Sequence, residues 1–305
     1  MNKSSEEALL LPTTSADPVA IKVDIEPNVH NAFLGIATFW RSIGVLVCNS
    51  IVVMVSGTSL YVPREYRKLL FLRCLCGFVC MGFAFYATSQ MVLADASCLI
   101  LSSPIMTFIF GALFLHERID PLSLLCAIVG FSGLICVVRP GFLFGYDHPT
   151  AATDGSRIAV VSALLAALGQ VFVFLTLRQL KALSVFVIVY YFALSSVILT
   201  ALWLALIQHS FYIPSTFVLW RAIIGTGICT FGGQMLLTRG FQLEKAGVAA
   251  VMRYLDVVFV FIWDSTILRE RIDYWSVVGA LIILTCAVMI GVRKVQLTRT
   301  NGSRT

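Results

Sequence analysis

The pentapeptide HERID at 116–120 returns, 153 residues further on, as RERID at 269–273. Each copy is preceded by a long apolar run and followed by another, so the unit that repeats is larger than five residues. Apolar residues make up 59% of the 305 and charged residues only 12%, whereas a soluble domain has about half and about a quarter. That balance describes a membrane protein. The net charge of +6 is spread over short connectors rather than gathered on one face, which reads as a topology signal and not as a nucleic-acid surface. The nine cysteines fall inside apolar runs without paired spacing, so the sequence carries no disulfide framework and no metal site.

Stretches long enough to cross about 30 Å of hydrocarbon, roughly 20 residues each, occur nine times: 33–55, 69–88, 92–115, 121–138, 157–177, 184–208, 217–237, 246–268 and 274–292. The fold class expected is an all-α multi-pass membrane protein with an inverted repeat and nine spans. A polar tail (1–32) precedes a first half of four spans (33–139). A connector (140–156) then leads to a second half of five spans (157–293) and a basic tail (294–305). The tail before Asn31 is polar and acidic, unlike a signal peptide. Its Glu6, Leu10 and Leu11 have acidic-dileucine sorting spacing, with an ordinary disordered tail as the other reading.

With nine spans, one set of connectors carries twelve of the 22 Lys and Arg residues, among them Arg64, Arg67, Lys68, Arg178, Lys181 and Arg293, and the other set carries six. Positive charge collects on the cytosolic side, so the C-terminus is expected there and the N-terminus outside. Five spans lie between the two pentapeptides, and an odd number puts them on opposite faces. The repeat is therefore inverted. Outside the pentapeptides, Gln90 and Ala94 echo Gln242 and Ala246, while Ser123 and Ala127 echo Ser276 and Ala280. Asp120 before Pro121 has the form of a helix N-cap, and Asp273 can serve likewise. Glu117 and Glu270 are expected as headgroup-level charges. Inverted repeats of this kind let secondary carriers alternate between two shapes.

The stretches LADASCLILSSPIMTFIFGALFLHE (93–117), VVRPGFLFG (137–145) and FGGQMLLTRGFQLEKAGVAAVMRYLDVVFVF (231–261) resemble the EamA-domain proteins of the drug/metabolite transporter superfamily, and within it solute carrier family 35, subgroup G. The resemblance covers about residues 36–294. It implies ten helices in two inverted five-helix repeats, a central cavity and cytosolic termini. The first span, with FWRS around Arg41, resembles the second family helix. The first family helix is thus expected to be missing, as in a shortened splice form or an incomplete gene model.

The substrate site is expected where polar residues interrupt the spans at mid-depth. In the third span Ser102, Ser103 and Pro104 fall there, proline removing a backbone hydrogen bond and serine able to cover the freed groups; a packing kink is the other reading. In the eighth span the repeat-equivalent depth carries Arg253, Tyr254 and Asp256. Arg253, Asp256 and Asp264 together cost about 7 to 10 kcal/mol to insert, against about 3 to 7 returned by the eleven Val, Ile, Leu and Phe of 246–268. Their shared face must look into the protein or a wet cavity, although Arg253 and Asp256 can also neutralise each other at i, i+3. Arg41 matches a family arginine and either lines the cavity or snorkels. Arg73 and Arg221 are expected to snorkel. Gln234, like Gln170, Tyr190 and Tyr191, can bond a solute or another helix, and Gly225, Gly227, Gly232 and Gly233 are expected to permit close packing.

The reading is a secondary-active transporter of a small polar, anionic metabolite, with a membrane regulator or scaffold that keeps the fold as the alternative. Its partners are a small-molecule solute and the lipid bilayer, with no nucleic acid; a homodimer is compatible with it. The location is the plasma membrane or the endoplasmic reticulum and Golgi. The four histidines lie in separate connectors or the tail, and no acid, base and nucleophile converge. No Walker motif occurs, so neither catalysis nor a cofactor is expected.

Overall fold

The computed structural model describes residues 27–91, 93–117, 120–139, 155–208, 217–263, 266 and 274–302. The expectations for Glu6, Leu10, Leu11, the connector, Asp264, Glu270 and Asp273 lie outside the described residues. All the regular elements described are helical, as hydrocarbon demands of a chain that must satisfy its own backbone. They are α1 (Pro27–Ser56), α2 (Arg64–Gln90), α3 (Leu93–Ile100), α4 (Ser103–Leu115), α5 (Pro121–Val138), α6 (Gly155–Gln179), α7 (Val185–Trp203), α8 (Phe217–Leu243), α9 (Ala246–Val251), α10 (Tyr254–Trp263) and α11 (Tyr274–Gly302).

Among the described residues, seven of the nine expected spans are long and apolar enough to cross a membrane. The seventh, α8, has 27 residues, about 40 Å of helix, but Arg221, Thr226, Gln234, Thr238 and Arg239 dilute its apolar character. The eighth is the broken pair α9 and α10. The third span is broken too, into α3 and α4, with Leu101 and Ser102 forming the turn between them. Ala94 and Ala246 are repeat partners, so the turn at 101–102 and the turn at Met252–Arg253 fall within about one residue of the same depth in the two halves.

The inversion is visible in the packing. α2 lies against α6, α1 against α7 and α8, and α5 against its own repeat mate α11. Where α5 crosses α11, a Cβ added to Gly133 would come within 2.9 Å of the Gly279 carbonyl oxygen, and a Cβ added to Gly279 would strike the Gly133 carbonyl. Adding 153 to 133 gives 286, and subtracting it from 279 gives 126. Cys126 and Cys286 are indeed neighbours in the same buried cluster. One contact generates the other by the repeat's two-fold relation. Between like apolar surfaces in lipid there is little hydrophobic drive, so such close backbone approaches, with their van der Waals contact, hold the pair together.

The glycines of α8 divide differently from expectation. Gly227 packs on Gly44 of α1, where an added Cβ would meet the Gly44 Cα at 3.2 Å, but Gly225, Gly232 and Gly233 have nothing within 4 Å. Only the first of these sets a helix–helix distance.

Gly279→Val is expected to destabilise the protein by about 1 to 3 kcal/mol through overpacking, whereas Gly232→Ala should be neutral or stabilising by up to about 1 kcal/mol through helix propensity. Thermal unfolding of the purified variants in one detergent compares them directly.

Candidate functional site

The break between α3 and α4 follows from Pro104 at the start of α4, which has no N–H to offer the preceding turn. At the turn the Ser102 hydroxyl donates to the Leu99 carbonyl at 2.6 Å. Ser103 is 2% exposed and its carbonyl accepts from the Thr107 hydroxyl at 2.7 Å. The Ser102 hydroxyl is therefore used on the chain's own backbone. The second break has no proline. There the ladder tightens to i→i−3 bonds, Arg253 N–H to Ala250 O at 3.0 Å, Leu255 N–H to Met252 O at 3.1 Å and Asp256 N–H to Arg253 O at 3.0 Å.

That tight turn aims Arg253 and Tyr254 in different directions. Arg253 stacks over the ring of Phe174 on α6, its Cζ 5.7 Å from the centroid, and Phe174 itself stacks on Phe241 of α8 at 4.2 Å. Its Nε and Nη2 both donate to Oδ2 of Asp256, at 3.2 and 3.1 Å. The pair is open to surroundings, the arginine side chain 26% and the aspartate 60% exposed. Tyr254 points away from it, into the buried cluster shared by α5, α10 and α11; its ring sits where a Cβ on Gly130 would approach to 3.0 Å. Its hydroxyl is buried with no hydrogen-bond partner among the described residues. Gln234 and Thr238, one turn apart on α8, also bury side-chain oxygens without partners. Arg41 makes a weak contact, Nη2 to Met81 Sδ at 3.8 Å.

The structure thus gathers Arg253 and Asp256 over α6 and leaves Ser102, Ser103, Tyr254, Gln234 and Arg41 on separate surfaces. A cavity of about 630 Å³ lies between α1, α2, α6 and α7, lined in part by Thr38, Met81, Ser162, Ser196, Thr200 and Trp203. None of the seven expected residues lines it, although Arg41 bonds to Met81 in its wall. The hydroxyls of Ser196 and Thr200 are buried there with no partner.

Two features escaped the sequence. Arg73 was expected to snorkel, but it lies about 13 Å along α2 from Arg64, is 2% exposed, and rests over Phe192 of α7 with its Cζ 4.3 Å from the centroid. Gly77 makes room for it: a Cβ there would meet Arg73 Nη1 at 2.6 Å. Its Nε and Nη1 have no acceptor among the described residues. Glu117 is likewise not left to the headgroups but bonded within the protein. His116 takes a left-handed conformation, φ 52°, which ends α4 and turns the chain. Glu117 Oε1 then accepts from Arg178 Nε at 3.0 Å and Oε2 from the Ala246 N–H at 3.0 Å, capping the first turn of α9. Arg178 Nη1 donates onward to the Gln242 carbonyl at 2.7 Å. The recurrence of the glutamate was the available signal; its partners lie 61 and 129 residues away, beyond any local pattern. Asp120 does cap α5, accepting from Ser123 N–H at 3.3 Å, and it also pairs with Arg293 at 2.8 Å.

The EamA-like transporter family model matches this chain twice, over residues 30–139 and 155–292. The chain belongs to the EamA-like transporter family. It is an integral multi-pass membrane protein of a family of transporters rather than of enzymes. Human solute carrier family 35 member G1 is 32% identical over 237 residues, which are 76% of this chain and 64% of that protein; the mouse counterpart is 29% identical and is likewise matched over 64% of its length. The pseudopaline exporter CntI of Pseudomonas aeruginosa is 30% identical over 254 residues, 83% of this chain and 84% of that one. A crystal structure of another protein is similar with a TM-score of 0.68 at 16% identity, covering 88% of this chain and 90% of that chain, a likeness of fold alone.

Glu117→Ala in this family member is expected to lower stability by about 1 to 3 kcal/mol, because it leaves a half-buried guanidinium and a helix-end N–H without their acceptor. Glu117→Gln should recover part of the loss, since its amide oxygen can still accept. Unfolding temperature of the three proteins in detergent reads the order.

Proposed function

We propose that this protein is a secondary-active carrier that moves a small polar, anionic metabolite by alternating access. The observation that carries the reading is the pair of helix breaks at equivalent depth in two inverted halves, with Arg253 partly exposed at one of them. Interrupted helices in corresponding positions are where carriers of this architecture hold solute, and an arginine within a span faces a functional cavity or a partner by energetic necessity. The relatives are themselves a solute carrier and an exporter by name. The shape fits one limit of such a cycle. At the Glu117 end, direct bonds join α4, α6, α8 and α9, while the cavity of about 630 Å³ lies in the opposite half.

A second reading, a non-transporting regulator, draws support from the Arg253–Asp256 contact, which already occupies the guanidinium. The two readings separate in proteoliposomes, with uptake of a panel of carboxylates and phosphate esters measured at matched protein incorporation. For a solute-binding arginine, Arg253→Ala should abolish uptake and Arg253→Lys should restore it only in part, since lysine lacks the planar fork. Arg253→Ala with Asp256→Ala should stay inactive. Near-normal uptake by the double variant would make the pair structural, and flux equal to empty liposomes for every solute would favour the regulator.

A further inference from the structure

On the surface between α2 and α7 a groove of about 400 Å³ opens beside the α1–α2 connection. α2 contributes Arg67, Leu70, Phe71 and Cys74, and α7 contributes Tyr191, Leu194, Ser195 and Ile198. Each set is spaced i, i+3, i+4, i+7, the single face that a helix presents along two turns. The two faces run side by side into the membrane. α2 has 27 residues, about 40 Å against about 30 Å of hydrocarbon, so its first 5 Å or so stand in the headgroup layer. Arg67, about 4.5 Å from the start of α2, is then at the headgroup boundary, and Cys74 lies about 10 Å deeper. The groove spans most of one leaflet.

Its chemistry changes with depth. At the mouth, Arg64, Arg67 and Lys68 are exposed within about one turn, with Glu65 the single acid among them. Arg67 is held in place there, its Nε donating to the Val62 carbonyl at 3.0 Å and its guanidinium lying over Tyr61 at 6.0 Å. Its two Nη groups have no acceptor among the described residues. Below the mouth, the two hydroxyls in the wall are already used: Tyr191 donates to the Leu60 carbonyl at 3.2 Å and Ser195 to the Phe192 carbonyl at 2.9 Å. Below the mouth the groove therefore offers nothing to a polar solute, in contrast to the larger cavity with its unpartnered Ser196 and Thr200. The Tyr191 and Arg67 bonds also brace the connection that roofs it, so its shape is set by the fold.

We propose that this groove binds one anionic phospholipid, with an acyl chain between the α2 and α7 faces and the headgroup phosphate on the Arg67 fork. Guanidinium matches phosphate in a two-point contact, and Arg64 and Lys68 favour a headgroup of net negative charge. Basic residues at the cytosolic end of membrane helices bind such lipids, and the Lys and Arg asymmetry of the chain assigns this end to the cytosol. The site holds whether or not the protein transports a solute.

The test exposes purified protein to phosphatidylcholine vesicles with and without phosphatidylserine, then counts retained lipids per chain by native mass spectrometry. One phosphatidylserine should be retained in preference to phosphatidylcholine. Arg67→Gln, whose amide can still donate to the Val62 carbonyl while the charge and the fork are lost, should weaken retention about fivefold. Ser195→Trp, which fills the groove, should abolish it. Lys181→Gln removes the same charge at the same end outside the groove and should retain lipid like the unaltered protein. Equal retention of phosphatidylcholine would overturn the proposal. So would a Lys181→Gln loss matching that of Arg67→Gln, which would mark general surface attraction.

Discussion

The carboxylate of Glu117 stands where four helices of the two halves converge. One oxygen takes the Arg178 guanidinium and the other takes the first amide of α9, while the same guanidinium closes on the last turn of α8. A helix N-terminus leaves its first amides without partners, and in hydrocarbon an unsatisfied amide is expensive. The short α9, six residues long, has few internal bonds with which to offset that cost. The fixed position of α9 is what allows a break after Val251, and the break is what presents Arg253 to α6. Polar chemistry at mid-membrane thus depends on a polar cap at the membrane edge.

Arginine is handled in three ways within the same bundle. Arg178 is paired and bonded on several sides. Arg253 is paired to Asp256 but stays partly open, stacked on an aromatic ladder of Phe174 and Phe241. Arg73 is enclosed, with Phe192 as its nearest compensation. A buried charge is retained at a cost of several kcal/mol unless something answers it, and the π face of Phe192 answers only part of that. Its neighbour Gly77 has no side chain because the guanidinium occupies the space where a Cβ would stand. The residue pair is a packing solution built around a charge.

Crossing points in the bundle follow the same economy of side chains. Gly133 with Gly279, and Gly44 with Gly227, bring backbones together, and along α6 Ala159, Ala163, Ala166 and Ala167 are wholly buried. Large apolar residues such as Leu113, Leu236 and Trp263 are exposed instead, as the lipid solvent favours. The interior is small and polar in places, the exterior large and apolar.

Class, span number and inversion were legible in the sequence because each rests on a quantity carried along the chain: apolar run length, an odd count of crossings, and recurrence at a fixed interval. The two breaks were legible as positions, since Pro104 forces one and charge density marks the other. The Asp120 cap was readable because its partner, Ser123, is three residues away. The rest depended on which helices meet. Glu117 looked like an interfacial charge because Arg178 and Ala246 are remote in sequence, and Arg73 looked like a snorkelling residue because only the true start of α2, at Arg64, shows how deep it lies. The α8 glycines are identical in sequence terms, yet one touches Gly44 and four face open space. Distance along the chain carries no record of such neighbours, and for a charge or a glycine in a membrane the neighbour decides the role.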